Sequence, residues 1–149
     1  MRPRQTITRQ WLIIGGEAAG IDEARKLRRG SGILLLRDRS GSEVRALRQI
    51  ARQRDLTVAI EGPRSAARVH NVRELRGAMF RRTPMILLSP LFPTRSHPDW
   101  QPLPRMRAAA LARLGGRNLI ALGGMDARKF GRIERLGFRG WAGISAFRT

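Results

Sequence analysis

At 149 residues the chain suits one domain, and 42% hydrophobic residues supply material for a core, which excludes disorder throughout. It carries 30 basic against 11 acidic residues, a formal charge of +19 that draws in phosphate of any kind, whether nucleic acid, an anionic membrane surface or a phosphorylated metabolite. The absence of cysteine excludes disulfides and thiolate metal sites, and two histidines, His70 and His97, are too few for an imidazole cluster.

The N-terminal Met1-Arg2-Pro3-Arg4 has no apolar signal region behind it, and no window approaches the roughly 18 apolar residues of a membrane span, so a cytoplasmic protein is expected. The first apolar run, Trp11 to Ile14, ends at Gly15-Gly16, and Asp22 opens an amphipathic stretch through Ala24 and Leu27. A second run, Ile33 to Leu36, is followed by Arg37-Asp38-Arg39, then by a capping box, Ser40 to Glu43, ahead of Val44, Leu47 and Ile50. Leu56 to Ile60 is the third run, ending at Glu61-Gly62-Pro63, and Ala67 to His70 is a further short strand candidate. Asn71 with Glu74 then starts a helix through Leu75 and Met79. Met85 to Leu88, Asn118 to Leu122 and Trp141 to Ile144 are the remaining apolar runs, separated by helices beginning at Pro104 and Asp126. Glycines at 30, 77, 115 and 137 are expected to stop the helices.

Runs that are apolar throughout, rather than alternating, belong to strands covered on both faces, and their alternation with helices predicts a parallel sheet wound by right-handed crossovers. The expected fold is a TIM-like β/α barrel or an open doubly wound sheet, with the chemistry beyond the C-terminal strand ends. Basic residues, hydroxyls and glycines collect at those ends. Arg37 and Arg39, two apart at one strand end, point the same way as a phosphate clamp or as plain surface charge. Gly123-Gly124 before Asp126 is either a tight turn with its cap or an anion site of exposed N–H groups. Glu61 is a solvated strand-end carboxylate or a metal ligand, and His70, after Val69, is expected as a hydrogen-bonded core histidine.

The segment "LSPLFPTRSHP", residues 88–98, is longer and stiffer than a plain strand-to-helix connection requires. Together with "LIALGGM" and "GFRGWAGISA" it resembles the thiamine-phosphate synthase/TenI family of β/α barrels, firmly from His70 to Ala146 and more loosely from Trp11 to Glu61. The resemblance implies a protein that joins hydroxymethylpyrimidine pyrophosphate to a thiazole phosphate. In that chemistry Arg37 and Arg39 grip the pyrophosphate, Thr94 and Ser96 offer hydroxyls, His97 replaces the family's usual lysine, and the backbone at Gly123, Gly124, Ile144 and Ser145 cradles the thiazole phosphate. It also implies Mg²⁺, for which Glu61 is the available ligand.

The chain departs from the pattern around its third strand. Glu61 stands nine residues before His70, too few for a complete helix, strand and second helix, so the family's fourth strand is missing. A full eight-stranded barrel takes about 200 residues or more; a shortened barrel of six to seven parallel strands is expected, with exposed edges that favour a homodimer. The leading functional expectation is a single thiamine-phosphate synthase-like domain that binds a phosphorylated thiazole. The rivals are a non-catalytic basic barrel that binds RNA or another polyanion, and a TenI-like isomerase or regulator.

Overall fold

Seven strands, every neighbouring pair parallel, lie in the order β3-β2-β1-β7-β6-β5-β4 in a computed structural model that describes residues 8–15, 20–36, 40–95 and 97–147. They are β1 (Gln10–Ile14), β2 (Gly32–Leu35), β3 (Thr57–Ile60), β4 (Ala66–Val69), β5 (Met85–Leu88), β6 (Leu119–Ala121) and β7 (Gly140–Gly143). Helices α1 (Ile21–Lys26), α2 (Gly41–Arg54), α3 (Val72–Phe80), α4 (Arg105–Gly115) and α5 (Ala127–Ile133) connect them. Because β1 pairs with β7 as well as with β2, the sheet curls into a nearly closed TIM-like barrel. All six clear apolar runs are strands, and the seventh candidate is β4, one residue earlier than its sequence suggested.

The two sheet edges, β3 and β4, are consecutive in the chain. No helix lies between them: a turn at 61–65 carries the backbone across, with Glu61 and Gly62 each bridging to Ala66. The Thr83 hydroxyl donates to the Pro63 carbonyl at 2.6 Å and the Ser65 hydroxyl donates to that of Ile60, which pins the turn. The shortening expected from the sequence is therefore localised here. Unlike the other strands, β3 is partly exposed along its whole length, as expected where a covering helix is lacking.

Alternation sorts the strand residues into an interior and an outer layer. Trp11, Ile13, Leu34, Leu87, Ile120 and Ala142 pack together inside the barrel. Leu12, Ile14, Ile33 and Leu35 face outward onto α1 and α2, through Ala24, Leu47 and Ile50. On the other half Ile86, Leu88 and Leu119 meet α3, α4 and α5 through Leu75, Leu111 and Phe130. A fully buried leucine such as Leu34 or Leu87 contributes about 2 kcal/mol by the apolar surface it removes from water.

Three helix starts, those of α2, α3 and α5, follow side-chain caps, whereas α1 begins at Ile21 with Asp22 inside its first turn. Ser40 accepts from the Glu43 N–H at 3.3 Å while Glu43 accepts from the Ser40 N–H at 3.4 Å, and Asn71 and Asp126 accept from the N–H groups of Glu74 and Lys129. The glycine stops hold less well. Helix α3 runs through Gly77 to Phe80, because burial of Leu75 and Ala78 outweighs the roughly 1 kcal/mol cost of one internal glycine. Helix α1 ends at Lys26, capped by extended Leu27, and Gly30 lies in the turn that follows. Among the described residues no helix is long and apolar enough to cross a membrane.

Candidate functional site

The strands all point their C-terminal ends at one rim, and a cavity of about 520 Å³ opens there. Its floor is the uppermost interior layer of the barrel: Ile13, Leu36, Leu122 and Ile144, with Ser89 at the end of β5. That volume falls within the range of small-molecule sites. The loop 89–98, which leaves β5 through a cis Ser89–Pro90 bond, forms one wall with Pro90, Pro93, Thr94 and His97.

The Gly123-Gly124 turn after β6 faces this wall. Both glycines have positive φ, 98° and 59°, and a Cβ on Gly123 would stand 2.8 Å from the Pro90 Cα. One on Gly124 would overlap the Pro93 carbonyl oxygen. The glycines are therefore required by close backbone approach, and the loop is bonded to the turn: Leu91 N–H donates to Leu122 O at 3.0 Å and Phe92 N–H to Gly123 O at 3.1 Å. No described residue accepts from the N–H of Gly123 or Gly124. Lys129 closes the corner, donating from Nζ to Gly124 O at 2.8 Å and standing 5.6 Å from the Phe92 ring centroid. Free N–H groups beside an ammonium make a suitable receptor for an anion.

Of the residues expected from the sequence, Thr94, His97, Gly123, Gly124 and Ile144 all line this cavity. Ser145 opens a short 3-10 turn, Ser145–Phe147, directly after Ile144. Arg37, Arg39 and Ser96 lie outside the described residues. Glu61 is not in the lining; its carboxylate accepts from Arg68 Nε at 2.8 Å. Among the described residues no group of three or more His, Asp or Glu is placed to hold a metal ion. The described donors therefore do not fit a magnesium site: Glu61 already has a cationic partner, and Asp126, the described carboxylate in the lining, caps α5 by accepting from the Lys129 N–H.

His70 is the clearest correction. It is a rim residue rather than a core one, half-exposed and lining the cavity, because β4 ends at Val69 and the ring projects past the packed layer. Its Nδ1 lies 3.1 Å from Glu74 Oε2, and its backbone N–H donates to the same oxygen at 2.7 Å. Partial burial pushes the Glu74 carboxyl up, but the hydrogen bonds from His70 outweigh it and hold the group below its ordinary range.

Among the lining residues not anticipated are Arg68, Arg95, Trp100 and Lys129. Trp100 stacks on His97 at 4.0 Å between centroids and meets His70 edge-on at 5.6 Å, forming an aromatic rim. Arg68 was findable, since a strand with Ala66 inside must also turn residue 68 inward. Lys129 was findable from the Asp126 cap, which places it in the first turn beside the glycines.

A nearly closed β/α barrel with a cavity at the C-terminal strand ends is the class of protein that this arrangement defines. No protein-family model matches the sequence, and no curated protein sequence does. Among solved structures the chain is similar to thiamine phosphate pyrophosphorylase from Pyrococcus furiosus, with a TM-score of 0.76 and 14% identity over 95% of this chain and 88% of that one. At that identity the likeness is one of fold.

Proposed function

We propose that the barrel mouth binds a phosphorylated small molecule, with a phosphorylated thiazole as the ligand, and that the chain is a thiamine-phosphate synthase-like protein. The observation that carries this reading is the Gly123-Gly124 turn, whose N–H groups no described residue satisfies, beside Lys129 in a cavity of ligand size. The fold shared with thiamine phosphate pyrophosphorylase supports the substrate class. In this reading the backbone after β7, at Ile144 and Ser145, completes the phosphate cradle. Thr94 and His97 meet the rest of the substrate from a proline-stiffened wall, and Arg37, Arg39 and Ser96 act on the pyrophosphate partner. The chemistry asks for positioning, charge neutralisation and exclusion of water. With Glu61 committed to Arg68, coupling to a pyrimidine pyrophosphate is expected to be weak.

Calorimetric titration with inorganic phosphate and with thiazole phosphate tests the cradle. Lys129→Met removes a charge-assisted partner at the turn and is expected to weaken both ligands about tenfold. Equal affinity in the variant would refute the placement.

A second reading has its own observation. Arg45, Arg48 and Arg52 are exposed on α2, and no described residue pairs with them, which leaves a basic stripe well suited to a polyanion. RNA binding through such a stripe is expected to be weak and without sequence preference, falling steeply as salt rises because each phosphate contact displaces a counterion. Retention of one particular RNA at about 200 mM salt would put this reading first.

A further inference from the structure

The turn at 61–65 does more than join two edge strands. By replacing a crossover helix it brings Glu61 against Arg68, whose Nε donates to Oε1 at 2.8 Å. Ala66 packs in the barrel interior, so Arg68, two residues on, faces the same way one layer higher, and it lines the cavity. The Glu61 side chain is 19% exposed and that of Arg68 is 43% exposed, so the carboxylate is the sheltered partner and the guanidinium the presented one. Engagement through Nε leaves both terminal amino groups, and no other described residue accepts a hydrogen bond from Arg68. Strands β4 and β6 flank β5, and Arg68 is in register with Leu87 and through it with Ile120, three residues before the glycine turn, so both reach the same mouth from either side of β5.

We propose that Arg68 is a second anion-binding group of the cavity, acting without a divalent metal, and that Glu61 is its positioning residue rather than a metal ligand. The inference rests on the anion-binding reading of the mouth and adds a ligand class to it. The preferred ligand carries two anionic groups, a phosphate at Gly123-Gly124 and a second phosphate or pyrophosphate group at Arg68. A guanidinium oriented by a carboxylate suits this role, because its two amino groups match a pair of phosphate oxygens.

Titration calorimetry with inorganic phosphate and inorganic pyrophosphate, each in EDTA and in excess Mg²⁺, tests this. Pyrophosphate is expected to bind the wild type in EDTA, with no tightening on addition of Mg²⁺. Arg68→Met should weaken pyrophosphate about 20-fold and phosphate less than about threefold, because the latter keeps the turn. Arg68→Lys should recover part of the loss, and Glu61→Gln should cost about fivefold by loosening the guanidinium. Thermal melts report folding, and the lysine variant, which keeps the charge, carries the test if Arg68→Met does not fold. Unchanged pyrophosphate affinity in Arg68→Met overturns the inference and leaves the glycine-turn reading standing. So does pyrophosphate binding that needs Mg²⁺ and disappears in Glu61→Gln, which would make Glu61 a ligand after all. A wild type that binds neither anion overturns both readings.

Discussion

Gly124→Ala is expected to lower stability by about 3 kcal/mol and to cost the turn most of its phosphate affinity. Two costs combine. A φ of 59° is left-handed, which costs an L residue about 1 kcal/mol. The added Cβ would also overlap the Pro93 carbonyl oxygen and stand 3.1 Å from its carbon, so wall and turn must part. Parting them strains the hydrogen bond from Phe92 N–H to Gly123 O and that from Lys129 Nζ to Gly124 O, the contacts that hold the turn against its wall. Gly137 is the control: with φ 110° and ψ 10° it is left-handed, but nothing lies within 4 Å of its would-be Cβ, so alanine there should cost only the backbone term of about 1 kcal/mol. Urea midpoints for the two variants, with phosphate titrations beside them, separate close approach from left-handed strain. Equal losses at both positions would mean that the wall gives way freely and does not shape the site.

The same contrast shows what the sequence could disclose. Strands buried on both faces declare themselves as unbroken apolar runs, and "ILLL" and "MILL" do so. Helix starts declare themselves through short-range caps, which is why Ser40, Asn71 and Asp126 were legible. Contacts made across the barrel are not encoded locally. Nothing near Gly124 states that the Pro93 carbonyl lies against it, and nothing near Glu61 states that a tight turn will return Arg68 to it. His70 was misplaced for a related reason: position in the sequence beside Val69 says nothing of whether a strand continues, and here it stops one residue short of burying the ring. The legible part of the site was therefore its rim of loops; for Arg68 and Lys129, strand alternation and the Asp126 cap give the local facing, but only the curl of the barrel brings the two charges to one mouth.

That curl depends on one seam, and Gly140→Ala should open it. Strand β7 must pair with β1 for the barrel to turn back on its first strand, and the Trp141 N–H donates to Arg9 O at 2.8 Å to begin that ladder. Gly140 is buried, and a Cβ there would fall on the Arg9 carbonyl oxygen, with the carbonyl carbon at 2.8 Å and Cα at 2.9 Å. These are backbone atoms and have no rotamer by which to retreat. Either β1 slides outward and loses its ladder bonds, or β7 does, and Trp141 leaves the Phe147 ring on which it stacks at 5.2 Å. Overpacking of this kind costs about 3 kcal/mol, which for a domain of this length lowers Tm by about 6–12 °C. The effect should also be local in its pattern. Amides of β1 and β7 should lose protection in hydrogen exchange, while β5, paired to β4 and β6 in the interior of its half of the sheet, keeps its protection. A Tm within about 2 °C of the wild type would show that the seam has slack the packing does not suggest. Uniform loss of protection in all seven strands would show instead that the barrel opens as one unit, with no seam weaker than the rest.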